Sequence, residues 1–326
     1  MIYYLTHVLI LICAWGLYVG GVFAWTGIIL LLGIIPVFEM GLKSFSVPSE
    51  RFKSRLSDFS ADFSADFSVL LTTPILFLFL ILSFYQISHS KNLLELTGFI
   101  LSTGVVMGGF GITSAHELVH RRQSWQRAFG VCNLIYVNFA YWGLEHVFGH
   151  HKYVATPEDP ATARKNEPLY AFWFRNYFHG LQGAINISQK KVITYWLITF
   201  LISLLLFLIG GSKLLLSWWA ISALAITLLL TVDYIEHYGL VRPKNQDGFY
   251  TATKPFHSWD TSSVITNSIL FNLGYHAHHH HKATVPFYDL GKYETARKMP
   301  FGYPAMVLMA LLPFIYIPVM NKRLEQ

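Results

Sequence analysis

The sequence predicts an all-α integral membrane protein with about six transmembrane helices. Of its 326 residues, 53% are hydrophobic and only 13% charged, roughly half the ~25% charge of a soluble domain. The apolar residues also gather in blocks close to the ~20 residues that a helix needs to cross a bilayer. The net charge of +6, from 24 basic and 18 acidic residues, lies in loops between these blocks. No basic and aromatic stripe forms on one face, which excludes a nucleic-acid-binding protein. Two cysteines, Cys13 and Cys132, stand in apolar surroundings and cannot build a disulfide framework, a zinc ribbon or an iron–sulfur site. Any redox partner must be a separate chain.

The first block, Ile2 to about Val19, lacks a basic leader segment and runs through Gly20-Gly21 into a second, Val22 to Phe38. That is a helical hairpin rather than a signal peptide. Further spans are expected at about Val69–Ile87, Leu96–Ala115, Val192–Ile209 and Leu214–Val232, the last two joined only by Gly210-Gly-Ser-Lys213. The chain reads as one integrated domain. Residues 1–115 hold four spans and a polar loop at 40–68, residues 116–191 a polar region, 192–235 the second hairpin, and 236–326 a polar C-terminal region. Basic residues favour one face: Lys43, Arg51, Lys53 and Arg55, then Arg121, Arg122, Arg127, Lys152, Arg164, Lys165 and Arg175. The other face carries Lys91, Lys213 and Glu95. By the positive-inside rule the long loops and both termini are cytoplasmic. The repeat Asp58–Ser68 (DFSADFSADFS) reads as an interfacial amphipathic helix or a linker, with no chemistry. The apolar blocks Val131–Leu144 and Met306–Val319 are short for a span and read as re-entrant or interfacial.

Of 15 histidines, 13 lie between residues 116 and 281, and 11 of these fall in four groups. These are His116-Glu-Leu-Val-His120, then Glu145-His146-Val-Phe-Gly-His150-His151, then Glu236-His237-Tyr-Gly, and finally His276-Ala-His278-His279-His280-His281. Spacing of i,i+4 on a helix aims two imidazoles at one face, and the topology brings all four groups to one membrane surface. A single histidine is usually a surface or hydrogen-bonded core residue, but that reading fails for the set. Imidazoles packed this densely need a cation, and neutral imidazole is a ligand for Zn, Cu, Fe and Ni. The expected architecture therefore adds a cytoplasmic-side, histidine-rich metal-binding cap. His116–His120 also matches the H-E-x-x-H helix of zinc proteases, but one zinc uses about three protein ligands. Eight or nine imidazoles suit two redox-active metals. No span carries a mid-membrane His, Asp or Glu, which argues against a metal-conduction path.

The three boxes at 116–120, 145–151 and 276–280 resemble those of the membrane fatty-acid desaturase and hydroxylase superfamily. The longer text is more specific. His150-His-Lys-Tyr-Val-Ala-Thr-Pro-Glu-Asp-Pro-Ala-Thr162, Tyr234-Ile-Glu-His-Tyr-Gly-Leu-Val-Arg242, Asp247-Gly-x-Tyr250 and His257-Ser-Trp259 are similar to the membrane alkane 1-monooxygenase family, from about Gly111 to Gly302-Tyr-Pro304. The resemblance implies a non-haem di-iron enzyme in a bacterial inner membrane that hydroxylates a terminal methyl group of an alkane-like substrate with O2. Electrons would come from rubredoxin and its NAD(P)H-dependent reductase. The implied iron ligands are His116, His120, His146, His150, His151, His237, His276, His279 and His280. The third box departs from the family pattern, with His278 in place of an aspartate and Tyr275 in place of an arginine. That leaves open hydroxylation of methyl groups on alkyl-aromatics, and a fatty acyl desaturase would use the same irons.

Glu117, Glu145 and Glu236 each adjoin a ligand histidine and are expected to accept an imidazole N–H, fixing its tautomer. Asp159, His257 and His278 are supporting candidates, Asp159 capping a turn beside Pro157 and Pro160. His7, His89 and His179 read as structural or exposed.

Overall fold

The computed structural model describes residues 2–41 and 59–325. The basic loop Lys43–Arg55 and Asp58 fall outside the described residues. Among the described residues, five helices are long and apolar enough to cross a membrane. They are α1 (Ile2–Val19), α2 (Gly21–Gly41), α3 (Phe59–Ser88), α4 (Leu93–Val119) and, after the shorter α5 (Ser124–Tyr136) and α6 (142–153), the 69-residue α7 (Leu169–His237).

α7 is not straight. Its backbone leaves helical geometry at Ser188 and again at Gly210 and Gly211, the latter at φ +61°, a region that a Cβ disfavours. Trp173 Nε1 donates to Thr231 Oγ1 at 3.0 Å. Those residues are 58 positions apart, about 87 Å along an unbroken helix, so α7 doubles back at the Gly-Gly pair as its sequence suggested. The two short apolar blocks are each interrupted. Asn138, at φ +57°, ends the helix within the first. The second is divided between α10 (Tyr303–Ala310) and α11 (Pro313–Leu324), after the short α8 (Val264–Ile269) and α9 (His276–His281). Among the described residues the only sheet is a parallel pair, β1 (Trp259–Asp260) with β2 (Arg297–Lys298).

Three tight turns meet at one end of the bundle. Glu95 accepts the main-chain N–H groups of Gly21 at 2.7 Å and Lys91 at 2.8 Å, and Lys213 Nζ reaches the Ser88 carbonyl at 3.2 Å. The same residue is held by its own helix cap, with Asn92 Oδ1 accepting from Glu95 N. At the other end lie the polar segments: Thr6 bonds the Ile269 carbonyl, and Glu39 accepts from Ser263 and Thr266. Between the ends, helices approach closely at small residues, as membrane helices do. A Cβ on Gly104 would meet Leu224 at 2.7 Å, and one on Gly108 would meet Ala225 Cα at 2.9 Å.

The DFS repeat forms the first turns of α3 and is anchored rather than free. Asp66 pairs with Arg121 at 2.7 Å, and Tyr4 Oη donates to the Ser64 carbonyl at 3.2 Å.

Glu95 ties the α1–α2 turn to the α3–α4 turn. Glu95→Ala removes two charge-assisted bonds, a loss of about 3 kcal/mol. Thermal unfolding in detergent should show a lower midpoint, with metal content unchanged. An unshifted midpoint would mean that the turns hold without it.

Candidate metal centre

The nine histidines reach one place from four segments. His116 lies in the last turn of α4, and His120 caps its end. The middle group sits on a π-helical turn, His146–His150, within α6. In such a turn residues i and i+5 share a face. His146 therefore points with His151, and His150 points elsewhere, where plain helical spacing would pair His146 with His150. His237 ends α7, and His276, His279 and His280 come from the six-residue α9.

The rings form two adjacent sets, His116, His120, His146, His151 and His279 in one, and His150, His237, His276 and His280 in the other. In each set one nitrogen per residue lies within 4.8 Å of all the others. The Nε2 atoms of His120 and His146 are 2.9 Å apart, those of His146 and His151 3.2 Å, and those of His151 and His279 3.0 Å. In the second set His150 and His280 approach to 3.1 Å, and His237 and His276 to 3.0 Å. The sets touch where the rings of His151 and His280 stack at 4.5 Å.

Hydrogen bonding does not account for this packing. A neutral imidazole has one donor and one acceptor nitrogen, yet the Nε2 atoms of His146 and His151 each face two neighbours. The buried Nε2 of His116 has no hydrogen-bond partner. Burial, reinforced by neighbouring rings, pushes the imidazoles of His146, His151, His276, His279 and His280 well below their ordinary pKa. Burial and His150 push His120 down to about 3. Neutral rings with converging lone pairs repel unless a cation lies between them. Two nitrogens each about 2.1 Å from one ion, at right angles, sit about 3.0 Å apart. The donor set thus fits metal, and imidazole suits iron.

Two of the outer nitrogens face carboxylates. Asp159 Oδ2 lies 2.9 Å from His150 Nδ1 and accepts from Thr162 Oγ1 at 2.6 Å. Burial alone would raise the Asp159 carboxyl, but His150 and Thr162 outweigh it and hold it low. With a carboxylate at Nδ1, that nitrogen carries the proton and Nε2 faces inward as a lone pair. Glu236 Oε1 lies 3.2 Å from Nδ1 of His276, not of its neighbour His237, and Tyr303 Oη donates to the same carboxylate at 2.5 Å. Trp142 stacks on His146, centroids 4.3 Å apart.

The other candidates stand elsewhere. Glu117 is held by Arg121 at 2.8 Å and by the Phe287 N–H, so it links the α4 end to the DFS repeat through Arg121. Glu145 lies over Gly149 and lines a polar groove with Lys152, Arg164 and His179. His257 Nδ1 accepts the Lys254 N–H, and His278 Nδ1 accepts the Gly291 N–H; both rings support loops rather than the cluster. His7 is buried against Thr72, at 3.2 Å. Tyr303, Asp233 and Trp142 escaped the sequence reading. Only Tyr303 carried a signal, through its place in Gly302-Tyr-Pro304.

One end of an apolar cavity opens onto the cluster. His116, His146, His276, Asp233 and Glu236 form that end, and Leu31, Val105, Phe110, Leu228 and Leu270 are among the apolar wall.

Residues 93–309 match the fatty acid desaturase family, and the chain belongs to that family. Its relatives narrow the class. It is 32% identical to alkane 1-monooxygenase 2 of Pseudomonas aeruginosa, over 92% of this chain and 84% of the relative. It is 31% identical to the alkane 1-monooxygenase of Acinetobacter baylyi, over 93% and 77%. A more distant relative, at 26% identity over 70% of this chain and 64% of its own length, is the xylene/toluene monooxygenase hydroxylase component XylM of Pseudomonas putida. The chain is an integral membrane, oxygen-dependent oxidoreductase with a metal cofactor.

Asp159→Asn should keep the shape and lose the charge that fixes His150. Removing such a partner lowers metal affinity about 10–100-fold. Chelator competition on the purified protein measures this, and unchanged retention would show that Asp159 only shapes its turn.

Proposed function

We propose that this chain is a di-iron monooxygenase that hydroxylates a terminal methyl group of an alkane-like substrate. The observation that carries the reading is the pairing of two adjacent imidazole sets with one end of an apolar cavity. His116, His120, His146, His151 and His279 would hold one iron, and His150, His237, His276 and His280 the other. Bound iron supplies what side chains cannot, the use of O2 to oxidise an unactivated C–H bond. The net reaction takes one substrate, one O2, two electrons and two protons to one alcohol and one water.

The protein's own residues position and exclude. Apolar walls take up a hydrocarbon from the lipid and keep bulk water out, and burial alone favours the substrate by about 0.8 kcal/mol per methylene. His116, His146 and His276 face the end of the cavity, so a substrate lying in it presents its terminal carbon there. Asp159, Glu236 with Tyr303, and Trp142 hold three rings in orientation. The topology we propose has six crossings, counting the two limbs of α7 separately, with the cluster and both termini on the cytoplasmic side. Two cysteines cannot build an iron–sulfur site, which supports delivery by a separate protein. Rubredoxin with its NAD(P)H-dependent reductase fits that role, and the groove containing Lys152, Arg164, Glu145 and Glu158 offers a polar surface beside the cluster. Methyl groups on aromatic rings are a second reading, favoured by the XylM relative and by His278 and Tyr275 in the third box.

Turnover of a mixed panel of alkanes, alkylbenzenes and fatty acyl substrates with a rubredoxin system tests this reading. The expected product is a primary alcohol; an alkene would make the enzyme a desaturase instead. His150→Ala should lower iron content and reduce turnover more than 100-fold, and full activity in that variant would refute its place among the ligands.

A further inference from the structure

Three π-helical segments occur among the described residues, Leu30–Ile34, Met107–Gly111 and His146–His150. Each contributes to the wall of the apolar cavity, through Leu31 and Leu32, through Gly108, Gly109 and Phe110, and through His146. Such bulges widen a helix turn, re-aim side chains and concentrate at functional sites. On α4 the wall follows a stripe from mid-helix to the metal cluster: Val105, Gly109, Thr113, His116. Gly109 alone in that stripe has no side chain, and its carbonyl accepts from Thr113 Oγ1 at 2.6 Å.

Neighbouring glycines are explained by packing. A Cβ on Gly104 or Gly108 would meet α7 at under 3 Å. A Cβ on Gly109 would meet nothing within 4 Å, so no close approach demands glycine there. Mid-helix glycine is unfavourable relative to alanine, and Gly109, unlike the equally open Gly33, lies on the cavity wall.

We propose that Gly109 sets the length of substrate the cavity admits. It lies seven residues before His116, about 10 Å along the helix axis from the metal-facing end. A side chain here would project across the lumen and block the part of a long hydrocarbon that extends beyond this level, while a short one would still reach the cluster. The inference rests on the reading of the cavity as the substrate chamber.

The test compares wild type with Gly109→Ala and Gly109→Leu, each iron-loaded and in detergent. Straight-chain hydrocarbons of graded length compete in one turnover mixture. In parallel, primary alcohols of graded length displace a fluorescent apolar probe from the same proteins. Gly109→Leu should lower the ratio of long to short products at least tenfold at unchanged iron content, with the same shift in the displacement series. Gly109→Ala should shift both less, and because alanine favours helix, its folding is not at risk. Gly33→Leu, on an exposed position of the Leu30–Ile34 segment outside the cavity wall, should leave the ratio alone. An unchanged length profile in Gly109→Leu with wild-type iron content overturns the proposal. If wild type oxidises none of the series, the proposed reaction fails, and the displacement series still decides the role of Gly109.

Discussion

Nine buried imidazoles, with the facing nitrogens of each set within 4.8 Å of one another, cannot be stable neighbours on their own, and the rest of the structure follows from holding them there. The nine rings arrive from four helical segments. α4 delivers two, a π turn in α6 divides three between the sets, α7 delivers one, and the short α9 delivers three. A cation between the inner nitrogens replaces repulsion with bonds, so assembly of the site and closure of this end of the bundle are one event. The outer nitrogens need orientation as much as the inner ones need metal. Asp159 provides it for His150 by a hydrogen bond, the Glu236 carboxylate lies 3.2 Å from His276 Nδ1, and the face of Trp142 packs on His146.

The opposite end of the bundle is built to be rigid. Glu95 and Lys213 fasten three short turns together, and glycines let α4 press against α7. Where the helices separate, the π bulges open a lumen that runs to the cluster. Helix packing, cavity and metal centre are thus one construction: the same α4 packs through Gly104 and Gly108, lines the lumen through Val105 and Gly109, and ends in His116 and His120.

Much of this could be read from the sequence, because its strongest signals are physical necessities. Apolar block length marks the helices, Gly20-Gly21 and Gly210-Gly211 mark the turns, and histidine density marks the cluster. What escaped depends on three-dimensional approach. The i,i+4 rule paired His146 with His150, and the π turn, which leaves no local sequence trace, paired His146 with His151 instead. Glu236 was expected to accept an imidazole N–H, and the ring it faces is His276 because α9 folds over the end of α7. Asp66, read as part of a repeat without chemistry, pairs with Arg121, a contact between segments 55 residues apart. Asp233 faces the cavity although nothing around it in the sequence marks it out.

The decisive question is whether the two imidazole sets hold two irons. Anomalous diffraction at the iron edge, from crystals of the detergent-solubilised protein, answers it directly. The account requires two iron peaks, one inside the set of His116, His120, His146, His151 and His279, the other inside the set of His150, His237, His276 and His280. A single peak, or zinc in place of iron, would contradict it.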